Sequence, residues 1–219
     1  MDGQFDDEFP PGEQIPRQIE VHFTSSPTPY GPGVHMVING TRVGDPLTDN
    51  GWRETGYRWH DALHLAHAMC LGWSPILRGL AKLKRRSDPR VDHIEDGGRA
   101  AVADEAIAWA VFCRARHRDW FEHDRRVDGD LLDFVQAMTY GLEVAERSRA
   151  EIEHAIRSGV SCMRSLWWHN GGILRGDLRQ QSLEWHPATG APGLSVPRAG
   201  PTWEGSGSRS VPSYAGIPA

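Results

Sequence analysis

The sequence predicts a mainly helical domain of α+β type: a helical bundle of about four to five helices with a small N-terminal β-hairpin and a C-terminal strand pair. Three observations predict it. Long stretches between Gly56 and Trp168 carry apolar residues at helical spacing. The stretch "GVHMVINGTRVGD" sets Asn39-Gly40 between two β-prone runs, the strongest short-range hairpin signal. Near the end, "GGILRGDLRQQSLEW" reads as a closing strand pair. The 219 residues suffice for one domain of ordinary size with tails. Apolar residues make up 39% beside 24 Gly and 15 Pro, which points to a real core diluted at its ends.

Residues 1–15 are acidic and proline-containing, and are expected to be disordered. From Gln18, "QIEVHF" alternates as a strand does and leads into the hairpin. After the turn-rich "DPLTDNG" the pattern becomes helical, with helices expected at roughly 56–71, 75–86, 97–118, 128–157 and 158–168. Pro75 suits a first helical turn, and Asp88-Pro89 ends the second helix. Gly97-Gly98 and Asp128-Gly129 punctuate the next two. Residues 16–186 then form the domain, and 187–219, rich in Pro, Gly and Ser, read as a flexible tail.

A formal charge of −5 argues against a general nucleic-acid binder. The acidic start lacks the basic and apolar regions of a signal peptide, and no apolar run approaches the ~18 residues of a membrane span. Cys70, Cys113 and Cys162 are odd in number and widely spaced, as expected of reduced thiols in a cytoplasmic protein. No membrane partner is expected, and the composition is compatible with a homo-oligomer.

The chemistry concentrates in "GYRWHDALHLAHAMCLGW". On a helix, His60, His64 and His67 fall within about 60° of one another, with Asp61 about 100° to one side. The other positions are apolar all round, the mark of a buried helix, so the imidazoles need partners. "RAAVADEAIAWAVFC" supplies them, being apolar except for Asp104 and Glu105, whose unpaired burial would be costly. The two helices are expected to meet, with Glu95-Asp96 extending the cluster.

Such a meeting is either a structural His–carboxylate network or a divalent metal site, and three histidines on one face favour the second. His60, His64, Asp104 and Glu105 are then the expected metal ligands, with Asp61 or His67 as base or orienter. The dense basic run "RGLAKLKRRSDPR" is either a solvated helix face or a phosphate-binding rim, with Arg78 and Lys82 one helical turn apart. Glu143, set among apolar neighbours, stands out on a helix whose other acidic residues suit a wet face. Glu151-x-x-His154 has the ExxH spacing of di-iron bundles, without a second such motif.

Several stretches together resemble the C-terminal region of MazG-like nucleoside triphosphate pyrophosphohydrolases. They are "HDALHLAH", "EDGGRAAVADEA", "LLDFVQAMTYGLEVAERS" and the closing "GGILRGDLRQQSLEW", and the similarity runs from roughly Gln18 to Trp185. The resemblance implies an all-α bundle that cleaves nucleoside triphosphates to monophosphate and pyrophosphate, using Mg²⁺ held by EExxE and ExxD motifs. By that analogy Asp104 and Glu105 stand in the first carboxylate helix, and Asp130 and Asp133 share the i,i+3 spacing of the second. The sequence has no full EExxE, and its histidines are foreign to a Mg²⁺ pyrophosphohydrolase site. In two-part relatives the recognised catalytic helices belong to a separate N-terminal domain, expected to be missing from this chain.

The expected function is thus a metal-dependent nucleotide phosphohydrolase, pyrophosphohydrolase-like, acting on a nucleotide or modified nucleotide. Arg78 and Lys82 would grip phosphate. The expected ion is Mg²⁺ or Mn²⁺, with Fe²⁺ or Zn²⁺ open because of the histidines. One alternative is a non-catalytic nucleotide-sensing or oligomerisation module. Another is an HD-domain-like phosphohydrolase built on His60-Asp61, which needs a further His and Asp.

Overall fold

Strand β1 (Gln18–Thr28) buries Ile19, Val21 and Phe23 on one face and leaves the intervening residues more exposed, as period-two alternation requires. In the computed structural model, which describes residues 3–123 and 126–188, both edges of this strand are paired. β2 (Gly31–Ile38) runs antiparallel on one side and continues through the Asn39-Gly40 turn into β3 (Thr41–Leu47). On the other side lies β4 (Gly171–Asp177), itself paired with β5 (Ser182–His186).

The result is one five-stranded antiparallel sheet in the order β3-β2-β1-β4-β5, joined by six helices among the described residues. This corrects the expected helical bundle with a small hairpin and a separate strand pair. The physical reason is the free edge of β1, whose backbone donors and acceptors must be satisfied. β4 satisfies them from the far end of the chain, with Val21 opposite Leu174 and Phe23 opposite Gly172. A pairing at such sequence separation leaves no local signature.

The helices are α1 (Asp61–Leu71), α2 (Pro75–Leu80), α3 (Pro89–Ile94), α4 (Gly98–His117), α5 (Gly129–Thr139) and α6 (Arg149–His169). Asp88-Pro89 both closes the segment after α2 and opens α3, because the Asp88 carboxylate accepts from the backbone N–H groups of Arg90 and Val91. The single helix expected over 128–157 is broken. The chain turns extended at Leu142 so that Leu142 and Val144 enter the core. It restarts at a capping box in which Ser148 and Glu151 satisfy each other's backbone N–H groups. Among the described residues, no helix is long and apolar enough to cross a membrane.

α1 is the hub. Every residue from Asp61 to Leu71 is buried, against α6 on one side and β4 and β5 on another. Two glycines permit this. A Cβ on Gly159 of α6 would lie 2.9 Å from Ala66 Cβ, and one on Gly176 of β4 would lie 2.4 Å from Met69 Cγ. Backbone meets side chain at both crossings, so neither position has room for a larger residue.

The N-terminal segment, expected to be disordered, is fastened into the domain from Gly3 onward. Ile15 and Asp6 are each 1% exposed. Asp6 accepts from the Ile15 N–H at 2.7 Å, and pairs with Arg78 at 2.7 Å and Arg17 at 2.9 Å. Arg78 also donates to the Glu13 and Leu83 carbonyls. Next to it, fully buried Arg85 makes a two-pronged pair with Glu143, at 2.8 and 2.7 Å, and another with Asp96 at 2.7 Å. The flexible tail expected over 187–219 lies, from residue 189, outside the described residues.

Asp6→Ala leaves Arg78 buried with one partner fewer. It is expected to destabilise the fold by about 3–5 kcal/mol in urea unfolding, the cost of breaking a buried ion pair. A loss under about 0.5 kcal/mol, the range of an ordinary surface change, would contradict this placement.

Candidate metal centre

The turn that leads into α1 is clamped before the helix begins. Asp49 accepts from the backbone N–H groups of Thr55 at 2.6 Å, Gly56 at 3.1 Å and Arg58 at 2.9 Å, and pairs with the Arg58 guanidinium at 2.9 Å. This clamp fixes the short 3₁₀ turn Tyr57–Trp59. Tyr57 there does two things for His60. Its carbonyl lies 2.8 Å from His60 Nδ1, and its ring stacks on the imidazole at 4.1 Å with planes 2° apart.

Asp104 enters from α4 and is wholly buried. Its Oδ1 accepts from His64 Nδ1 at 2.9 Å and from His67 Nδ1 at 2.7 Å. Its Oδ2 accepts from the Ser74 hydroxyl at 2.6 Å and the Ile76 N–H at 3.3 Å. Ser74 in turn caps α2 by accepting from Leu77 N–H. One carboxylate thereby ties α1, α2 and α4 together.

These bonds fix the tautomers. A carbonyl or ionised carboxylate can only accept, so Nδ1 of His60 and of His64 carries a hydrogen and Nε2 is the end turned toward Glu105. Both Nε2 atoms approach Glu105 Oε2, at 3.9 Å from His60 and 3.6 Å from His64. Asp61 Oδ1 stands 3.8 Å from His60 Nε2. One ligand atom each from His60, His64 and Glu105 lies within 4.8 Å of the others. Glu105 is 46% exposed, so the cluster opens to the surface there.

Charge follows position. Burial keeps His60 below the usual imidazole range, so its Nε2 lone pair is available at neutral pH. Burial presses His64 down in the same way, but the Asp104 carboxylate overrides it and lifts that imidazole to about 10, so an ion binding at Nε2 would have to displace a proton there. The His64 imidazole, 3.6 Å away, holds Glu105 below the usual carboxylate range, and burial raises Asp61.

The structure thus brings together His60, His64, Glu105 and Asp61. Asp104 sits behind them, accepting from two Nδ1–H groups. His67 sits deeper still, beside Trp73 and Ile107 in a small apolar cavity. Arg78 and Lys82 are elsewhere. Arg78 is 1% exposed and occupied by Asp6, while Lys82 lies beyond the end of α2 on the surface. The Glu95-Asp96 pair serves Arg85 and the Glu143 backbone. His35, the nearest thing to a further histidine for an HD-type site, is in β2 against Ser26. Sequence reasoning missed Asp49, Tyr57 and Ser74. Ser74 before Pro75 carried the signal of a helix cap.

Beside the cluster runs a shallow groove lined by Tyr57, Ile76, Val102, Ala106 and Trp109, and Glu105 lines it too. Val102 and Trp109 are 65% and 52% exposed, an apolar strip on the outer side of α4.

The fold and this cluster define an α+β domain with a histidine–carboxylate centre between α1 and α4. The model of the MazG C-terminal domain family matches residues 2–189, and the chain belongs to that family. Membership gives it a MazG-like, nucleotide-related association. No curated protein and no solved structure matches the chain.

The raised His64 predicts a pH dependence for the metal-free protein. A folded value of about 10 against an unfolded value near 6.5 means that the Asp104–His64 pair contributes fully below about pH 6.5. The contribution shrinks as pH rises and is gone above about 10. Urea midpoints are expected to fall across that window in the native chain. In Asp104→Asn the fall should flatten around a lower stability; an equally steep fall there would refute the pairing.

Proposed function

We propose that the protein is a metal-dependent phosphohydrolase that cleaves a phosphoanhydride of a nucleoside triphosphate or modified nucleotide. The observation that carries this reading is the convergence of His60 Nε2, His64 Nε2 and Glu105 at a half-open mouth beside an apolar, aromatic groove. Family membership supports the nucleotide. The donor set suits a divalent ion, because His64 Nε2 is buried and without a hydrogen-bond partner among the described residues. When bound, such an ion supplies neutralisation of phosphate charge and acidification of water.

His60, His64 and Glu105 would hold the ion, and Asp104 and the Tyr57 carbonyl would orient the two imidazoles. Asp61, whose proton affinity burial raises, would take the proton from the attacking water at a carboxylate oxygen. That water oxygen bonds to phosphorus as the bridging P–O bond breaks toward the leaving phosphate. The nucleoside would lie in the groove, with its base against the exposed Trp109 ring. Arg78, held by Asp6, takes no part.

The test is phosphate and pyrophosphate release from a nucleotide panel with divalent ions supplied one at a time. Asp61→Asn is expected to lower kcat about a hundredfold or more while KM holds. Trp109→Ala is expected to raise KM about five- to tenfold while sparing the metal. No release from any nucleotide with any ion would overturn the reading.

A further inference from the structure

The cluster between α1 and α4 departs from the metal site that the family resemblance implies. Mg²⁺ takes oxygen ligands in near-ideal octahedral geometry, dehydrates reluctantly and keeps several waters. Here the converging atoms are two imidazole nitrogens and one carboxylate oxygen. We infer that the cluster binds a first-row transition ion, of the class of Fe²⁺, Co²⁺ or Zn²⁺, in preference to Mg²⁺, through Nε2 of His60, Nε2 of His64 and the Glu105 carboxylate. This rests on the metal-dependent reading above and assigns the kind of ion.

Three independent features point the same way. A metal-ligating histidine nearly always donates its other N–H to a carboxylate or a backbone carbonyl, which fixes the ring and raises its basicity. His64 does this to Asp104 at 2.9 Å, and His60 does it to the Tyr57 carbonyl at 2.8 Å. His67 also donates to Asp104, but it lines the apolar cavity and has no such carboxylate-facing mouth.

The second feature is the buried His64 Nε2, on a side chain that is 1% exposed: it makes no hydrogen bond among the described residues and stands 3.6 Å from Glu105 Oε2, beyond hydrogen-bond reach. A purely structural network would be expected to satisfy that atom, as it satisfies Nδ1. The third is spacing. Nε2 of His60 and of His64 lie 3.9 and 3.6 Å from Glu105 Oε2, inside the roughly 4.4 Å that two ligand bonds of about 2.2 Å can span. Imidazole favours first-row transition ions, and the affinity of such sites rises through the divalent series toward copper. Glu105, half-exposed, leaves the solvent side of the ion open for a substrate oxygen.

The experiment uses the full chain, purified without a histidine tag and stripped with chelator, then titrated with Co²⁺, Zn²⁺ and Mg²⁺. One Co²⁺ per chain is expected, with visible absorption bands of a nitrogen-ligated site. Zn²⁺ should displace it, and Mg²⁺ at about a hundredfold excess should not. His60→Gln and Glu105→Gln are each expected to weaken Co²⁺ binding at least about tenfold. Glu105 is exposed enough that its variant keeps the fold, so it carries the test if His60→Gln does not fold.

Absence of Co²⁺ binding, Mg²⁺ competing on equal terms, or Glu105→Gln binding Co²⁺ as the native chain does would each overturn the inference. Nucleotide turnover in Mg²⁺ alone without transition-ion binding would overturn it and leave the hydrolase reading standing. Stoichiometric Co²⁺ binding with no turnover of any nucleotide would do the reverse.

Discussion

A carboxylate at zero exposure must be compensated from every side, and Asp104 is. Four donors from two helices converge on its two oxygens: His64, His67, the Ser74 hydroxyl and the Ile76 N–H. Because those donors belong to α1 and to the start of α2, the register of α4 against both is set by one residue. The same bonds turn His64 so that Nε2 faces Glu105. Packing and chemistry thus share a single constraint, and neither could be altered without the other.

A second ionic centre holds the opposite end of α2. Ser74 opens that helix on Asp104, and Arg78 in its last turn reaches Asp6 and lies 3.6 Å from Asp96. Arg85 adds Asp96 and Glu143, and the Phe9 ring lies beneath its guanidinium at 5.4 Å. A short helix of marginal intrinsic stability is thus pinned at both termini by buried charge. The N-terminal segment is one jaw of the second pin.

Much of the site was legible because burial demands partners. The histidine spacing of α1 and the Asp104-Glu105 pair of α4 predicted that the two helices meet, which they do. Their roles divided in a way that sequence spacing does not encode: adjacent residues on a helix point about 100° apart, so Asp104 faces inward and Glu105 outward. The basic run misled for a related reason. Arg78 and Arg85 pair with residues 72 and 11 positions away, and nothing local distinguishes a buried guanidinium from a solvated one. The β1–β4 pairing, the N-terminal clasp and the Asp49 clamp were hidden for want of any short-range signal. The Asn39-Gly40 turn is made by neighbours in sequence and was readable, whereas the equally local Ser148 cap was passed over in favour of one long helix.

The all-round burial of α1 bears on how such a domain can diversify. Ala66 meets Gly159 and Met69 meets Gly176 with no slack, so a change in one helix face requires a matching change elsewhere. Each substitution there must pass through a destabilised intermediate sequence. The outer side of α4 carries no such coupling, since Val102 and Trp109 face solvent directly beside Glu105. Descendants of one ancestral chain would therefore keep α1 nearly frozen while α4 drifts. New binding preferences would accumulate along a strip one helix wide, at little cost to the fold.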